Sequence, residues 1–188
     1  MNINKMSQKE KVEYMLTQPV PGLIRQMAVP TIISMLVTTF YNMADTFIVG
    51  KGLGDNALAA VGGCAPVTLL LLAISNGMGG GGSVVVSQYF GANKMEEMRR
   101  AVSTILIMMT ALGILFTVLG ISCARGLVVN IMHVTDPEIR DYSILYFQIY
   151  SCGLFVQYIY NAIASILRSL GDSKSSLYFL CVAAVTNI

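Results

Sequence analysis

Charged side chains are scarce in this chain of 188 residues, and several long segments have none. Charged residues make up 12% of the sequence and apolar residues 55%, whereas a soluble domain carries about 25% charge. The uncharged runs cover residues 26–44, 56–93, 101–124, 144–167 and 175–188. So many apolar runs would leave a soluble globule too little polar surface. The shortage of charge therefore favours a helical membrane protein.

Other absences narrow the function. The four cysteines lie in or beside the uncharged runs without a close pair, so we expect neither a disulfide nor a zinc site. A glycine-rich segment, 76–83, lacks the Gly-Lys-Ser/Thr ending of a phosphate-binding loop. Asp45 and Asp55 are too close along one hairpin to face each other as a protease pair. We therefore predict that the protein is not an enzyme and has no cofactor.

The lengths of the uncharged runs predict the fold class. A helix needs about 20 residues to cross roughly 30 Å of hydrocarbon, and the first four runs satisfy this. We predict an all-α, polytopic membrane helical bundle, with spans at about 24–50, 56–90, 101–124 and 142–167 and a truncated fifth span at 175–188. We expect residues 23–188 to form one helical unit, a partial N-terminal lobe. Because the polar segment 1–22 has no cleavage site after it, we expect the first span to be retained and not to be a secretory signal.

The positive charges predict the orientation in the plasma membrane. Nine lysines and arginines lie on the side of the N-terminus and three on the other side. Because positive residues concentrate in cytoplasmic loops, we expect a cytoplasmic N-terminus in a multi-pass, inner-membrane protein. Topology also accounts for the net charge of +2 without a nucleic-acid partner.

Helix ends and breaks can be expected from the local sequence. Gly50 to Gly54 is typical of a tight turn between the first two spans. Thr135-Asp136-Pro137-Glu138 matches a capping box with proline in the first turn, and 171–173 ends the fourth span. The run 56–93 would make a helix of about 57 Å, longer than one perpendicular crossing. We expect it either to tilt into the cytoplasm or to break at the glycines of 76–83.

Polar residues inside the spans form stripes. At 100° per residue, Ser34, Thr38, Tyr41 and Asp45 fall within about 60° of one another on the first span. A second stripe follows the fourth span, and a seven-residue repeat on the third is typical of helix packing. Interhelical hydrogen bonds could explain the two stripes, but we expect a water-filled lumen that binds substrate. Its predicted lining residues are Ser34, Thr38, Tyr41, Asn42, Tyr150, Gln157 and Asn161. The fourth-span stripe also includes Tyr146, and the repeat is Ser103, Thr110 and Thr117.

Asp45 is the acid in the first span. An ionised carboxylate there costs about 2.5 to 3.5 kcal/mol, so its presence suggests a path for protons, cations or substrate. Desolvation favours proton uptake by such a group. Alternatively, the carboxylate binds a cation such as Na⁺ with oxygens from Thr38, Tyr41, Asn42 or Asn161. A third possibility is that it reaches the outer interface and is solvated there.

Several segments of the chain resemble a known family in order and spacing. They are 44–54 with 57–62, then 82–93 with Glu96, Arg99 and Arg100, and finally 161–172. These segments are similar to the first helices of multidrug and toxic compound extrusion (MATE) transporters, nearest the bacterial MepA-like branch. The likeness runs from about Pro21 to the end of the chain.

The resemblance implies twelve helices in two lobes that exchange an organic, often cationic drug for protons or sodium by alternating access. Asp45 matches the acid assigned to cation coupling, and Asn187 matches the asparagine of the fifth helix. The C-terminal lobe has no counterpart in these residues, so transport is expected to need a longer protein or a second copy. The partners implied are a small organic cation, the lipid bilayer and that lobe.

One alternative belongs to the same superfamily. A flippase for a lipid-linked oligosaccharide or cell-wall precursor would show a similar helical outline. It would need cationic residues in mid-membrane to hold pyrophosphate, and none of the first four spans offers one. The drug exporter is therefore the preferred prediction.

Overall fold

The chain folds into helices joined by short turns. The computed structural model describes Glu10, Glu13, Thr17 and residues 19–187, without the side chains of Leu23, Gln26, Lys174 and 183–187. Most of the predicted polar segment 1–22 therefore lies outside the described residues. The helices are α1 (Val20–Leu53), α2 (Asp55–Gly91), α3 (Met95–Gly126), α4 (Pro137–Ser169) and α5 (Ser173–Asn187), and a π-helical turn (Leu127–Ile131) extends α3.

The helix lengths agree with the prediction of a polytopic membrane protein. Helices α1, α2, α3 with its π turn, and α4 are long and apolar enough to cross a bilayer. No strand occurs in the described residues of the chain. The all-α membrane fold class is thereby confirmed.

Helix α2 is continuous through its glycine-rich segment. It runs for 37 residues without the break that was one of the two expectations for 76–83. Each glycine lowers helix propensity by about 1 kcal/mol. An opened backbone in lipid would leave N–H and C=O groups unpaired at several kcal/mol each, so the helix is the more stable state.

The turns follow the predicted glycine positions, but one cap differs. Gly54 and Gly171 have φ of +85° and +81° and end α1 and α4, a conformation that glycine adopts without a Cβ clash. At α4, Asp136 is the cap instead of Thr135. Its Oδ1 accepts from the backbone N–H of Glu138 at 2.9 Å and of Ile139 at 3.2 Å. The Glu138 carboxylate instead accepts from Asn56 Nδ2 at 2.9 Å.

The chain divides into two compact units, and each of the four long helices contributes a segment to both. The described residues of the first unit are 19–41, Gly79–Ile105 and 162–187. In this unit α2 and α3 approach closely at Gly82, where a Cβ would lie 2.7 Å from Ile105 Cγ1. The glycine therefore serves close helix packing there.

The second unit, Asn42–Met78 with Leu106–Asn161, has a core of Cys64, Ala124 and Phe147. Its α3 and α4 approach closely at two glycines. A Cβ on Gly113 would lie 3.1 Å from Phe155 Cα, and one on Gly120 would lie 2.7 Å from Ser151 Cβ. The predicted seven-residue period is right, but these contacts use Gly113 and Gly120. Of the predicted seam, Thr110 and Thr117 are half-buried and the Thr117 hydroxyl oxygen is fully buried, whereas Ser103 is exposed.

Candidate cation and substrate site

Helix α1 carries the predicted acid and is the least buried of the long helices. Only 6% of its apolar stretch is buried, against 22% in α2 and α3 and 44% in α4. Apolar residues occur on several sides of this helix. The helix therefore has no clear division between an apolar face that packs and a polar face that contacts water. The first helix therefore presents its polar stripe on an accessible surface.

Asp45 is exposed on α1, eight residues before the helix ends at Leu53. Eight residues correspond to about 12 Å along the axis, or roughly two turns. Among the described residues, no hydrogen bond or ion pair involves its carboxylate. A carboxylate facing hydrocarbon without a partner is costly, so this surface is expected to meet water, an ion or further protein.

The serine and threonine hydroxyl groups of the predicted stripe on α1 donate hydrogen bonds within their own helix. Ser34 Oγ donates to the Pro30 carbonyl and Thr38 Oγ1 to the Ser34 carbonyl, each at 2.9 Å. Each hydroxyl proton is thus used, while the oxygen keeps lone pairs that can accept. Thr38 and Asn42 are exposed, whereas Ser34 and Tyr41 are half-buried. The stripe therefore offers oxygen ligands suited to a cation.

Some residues of the polar stripe on α4 are exposed, and others are buried in contacts with neighbouring side chains. Gln157 is exposed, while Tyr150 is half-buried and stacks on Tyr146 with ring centres 6.2 Å apart. Asn161 is 9% exposed, and its Nδ2 donates at 2.9 Å to Oγ of Ser75, which is 0% exposed. This buried bond ties α4 to α2 within the second unit.

Sequence reasoning missed the partners of this interhelical contact. Besides Ser75, it overlooked Tyr158, whose hydroxyl donates to the Leu71 carbonyl at 2.8 Å. Leu71 and Ser75 lie four residues apart, and Tyr158 and Asn161 lie three apart, so each pair shares a helix face. That spacing was the available signal for a polar seam between the two helices.

The predicted site residues are only partly brought together. Asp45 and Asn161 both belong to the second unit, but among the described residues no hydrogen bond joins them. Ser34, Thr38 and Tyr41 belong to the first unit. Asn187 lies in α5, and its side chain is outside the described residues. The lining and coupling roles of these residues remain predictions.

A pair of substitutions can separate packing from substrate contact at Asn161. Asn161→Ala and Ser75→Ala each remove the same bond, so each is expected to lower stability by about 0.5–1.5 kcal/mol, typical of hydrogen bonds between membrane helices. If Asn161 also lines the lumen, Asn161→Ala will reduce efflux more than Ser75→Ala. Thermal unfolding in detergent and dye efflux from cells measure the two effects. Equal efflux in the two variants would assign Asn161 to packing alone.

Comparisons with known proteins show which family this chain resembles. The MatE family model matches residues 30–188. A probable multidrug resistance protein of Bacillus subtilis, YoeA, is 30% identical over 177 residues, covering 89% of this chain and 36% of that protein. An FAD transporter of Shewanella oneidensis is 26% identical over 176 residues, covering 93% of this chain and 38% of that protein. The chain thus spans little more than a third of these relatives.

A solved structure shares the fold. An outward-facing multidrug resistance MATE transporter of the MOP superfamily superimposes with a TM-score of 0.81 at 28% identity, covering 87% of this chain and 36% of that one. Proteins of this kind are transporters rather than enzymes. Since the family model covers most of the sequence and the helices fit the shared fold, the chain belongs to the MATE family of multi-pass membrane transporters.

Proposed function

We propose that this chain belongs to an antiporter that exports organic, often cationic compounds in exchange for protons or sodium. The observation that carries the proposal is the position of the Asp45 carboxylate, which lies about two turns inside a spanning helix of a MATE-family chain and has no ionic partner among the described residues. A structural acid in lipid would be expected to be paired. An acid that binds and releases ions must leave its charge accessible.

The proposed exchange depends on the negative charge of Asp45. Ionised Asp45 attracts either an organic cation or a coupling ion, and whichever binds neutralises it. A proton would bind to the carboxyl itself, while Na⁺ would also draw on the side-chain oxygen of Asn42, three residues away in the same unit. Because the two cations compete for the same charge, loading one favours release of the other. Asn187, which is assigned to coupling by resemblance, would assist from α5.

Alternating access requires an element that moves at small cost. Within this chain the apolar stretch of α1 is only 6% buried, so few of the contacts made by the described residues would break if this helix shifted. In this proposal Asn42 and Asp45 of α1 and Tyr150 and Gln157 of α4, which all belong to the second unit, face the substrate. The second lobe of the family's fold would close the other side of the lumen.

The proposed setting is the plasma membrane with the N-terminus in the cytoplasm. The excess of lysine and arginine on that side of the spans supports this orientation. We also propose placement in the bacterial MepA-like branch, on the likeness of the segments around Asp45 and Asn161. None of the first four spans has a lysine or arginine in mid-membrane. This favours an exporter of cations over a flippase, which would need positive charge there to hold pyrophosphate.

Transport under single-ion gradients tests this function. The full-length transporter, with both lobes, is reconstituted in liposomes. A pure proton gradient and then a pure sodium gradient are applied, and the movement of ethidium is followed by fluorescence. We expect ethidium to move under at least one gradient, which names the coupling ion. FAD serves as a second cargo because one relative is an FAD transporter. Movement of FAD alone, or of neither compound, would contradict export of organic cations.

A further inference from the structure

An open groove in the first unit lies between the end of α2 and the beginning of α3. Its volume is about 350 Å³. Gly82, Val85 and Ile105 line its apolar end, and Tyr89, Glu97 and Arg100 line its polar end. Gly82 keeps the two helices close, so the groove is formed by backbone packing that a larger residue would disturb.

The position of the groove along α3 matches the boundary between headgroups and hydrocarbon. Charged residues occupy the first turns of α3 as far as Arg100, and none follows until Arg125. The polar end of the groove therefore lies at headgroup level, and its apolar end lies deeper in the same leaflet. Gly82 lies nine residues before the end of α2, or about 14 Å along the axis. A headgroup and the upper segment of an acyl chain fit this division.

The two charges in the groove are available to a ligand. The Glu97 carboxylate has no ion pair or hydrogen bond among the described residues. Among the described residues, Arg100 forms an ion pair with Glu96 alone, at 3.7 Å, and both side chains are largely exposed, at 78% and 68%. An exposed pair of this kind contributes little, so Arg100 can exchange its partner.

We propose that this groove binds phosphatidylethanolamine, a phospholipid whose headgroup carries a primary ammonium and a phosphate. Glu97 would accept hydrogen bonds from the ammonium, and Arg100 would donate to the phosphate. The two residues are three positions apart on one helix face, with Cβ atoms about 5–6 Å apart. This spacing suits the ammonium and the phosphate of the headgroup, which are joined by a two-carbon link. Val85 and Ile105 would contact the acyl chain.

The charge pattern discriminates among common phospholipids. Phosphatidylglycerol offers a phosphate to Arg100 but no cation to Glu97, whose charge would repel it. Phosphatidylcholine offers a cation without N–H donors, so the hydrogen bonds to Glu97 are lost. The groove therefore prefers the primary ammonium. This inference depends on the membrane-spanning fold and stands apart from the proposed drug export.

Native mass spectrometry of the detergent-purified protein tests the site. The protein is titrated with phosphatidylethanolamine, phosphatidylcholine and phosphatidylglycerol of identical acyl chains. We expect phosphatidylethanolamine to bind about five- to tenfold more tightly, as for charge-assisted hydrogen bonds at a partly exposed site. Glu97→Gln should reduce its binding to the level of phosphatidylcholine. Arg100→Gln should weaken binding of all three lipids.

Neighbouring residues on the same helix provide matched controls. Glu96→Gln and Arg99→Gln remove the same charges outside the groove lining and are expected to leave the preference unchanged. All four side chains are exposed, so none of the variants should fail to fold. Equal binding of the three lipids, or equal loss in Glu96→Gln and Glu97→Gln, would show a non-specific lipid annulus and overturn the proposal.

Discussion

Asp45→Asn is expected to abolish ion-driven efflux of a dye such as ethidium while leaving membrane insertion intact. The substitution keeps the shape of the side chain but removes the negative charge on which the proposed exchange of cations depends. Insertion should not suffer, because an ionised side chain is the costly one in a bilayer. The measurement is dye efflux from cells that express the full-length transporter, with membrane-fraction immunoblots to normalise for its amount.

Two further variants make the Asp45 result specific. Asp55→Asn removes an equally exposed carboxylate ten residues along the chain, in the turn that begins α2, and should leave efflux unchanged. Asp45→Glu keeps the charge on a longer stem, so we expect reduced but measurable efflux. Undiminished efflux by Asp45→Asn at normal expression would refute the coupling role of this residue.

Gly120→Ala is expected to destabilise the protein by about 1–3 kcal/mol, the usual cost of overpacking a close contact. A Cβ at this position would overlap Ser151 Oγ and would lie 2.7 Å from Ser151 Cβ. Ser151 cannot easily turn away, because it is fully buried and its Oγ donates to the Phe147 carbonyl at 2.6 Å. Helices α3 and α4 would have to separate. The midpoint of thermal unfolding in detergent reports the loss.

The same region provides a control and a rescue. Gly153 on α4 is exposed, and a Cβ added there would meet no atom within 4 Å, so Gly153→Ala should raise stability by up to about 1 kcal/mol through helix propensity alone. Ser151→Gly removes the opposing atoms and should reduce the cost of Gly120→Ala in the double variant. If Gly120→Ala and Gly153→Ala behave alike, the close approach of the two helices is not a determinant of stability.

Local features of the fold were predictable because their causes are local. The spans follow from runs without charge, and the ends of α1 and α4 follow from Gly54 and Gly171, whose positive φ suits glycine. The cap of α4 was missed by one residue. The side chains of Thr135 and Asp136 can both accept backbone hydrogen bonds at a helix start. The sequence does not show which of the two is the N-cap, and the structure assigns it to Asp136.

The contacts between helices were less predictable. The sequence predicted a lumen role for Asn161, which stays a prediction, but it did not indicate the buried hydrogen bond from Asn161 to Ser75. The polar period on α3 predicted packing through Ser103, Thr110 and Thr117. Thr110 and Thr117 are half-buried, but Gly113 and Gly120 make the closest approaches to α4. In lipid, small residues and hydroxyls both serve helix packing, so the periodicity does not show which residues make the closest contacts.

By itself, the sequence determined that this protein is a helical membrane protein with a carboxylate inside its first span. Hydrophobic length and the cost of a charge in lipid depend on residue type and position in the chain. Only the tertiary structure decided that Asp45 stays exposed while Asn161 is bonded to Ser75, and that Glu97 and Arg100 share a groove. Those outcomes depend on which helix faces meet, because residues 86 positions apart in the chain become neighbours only after packing.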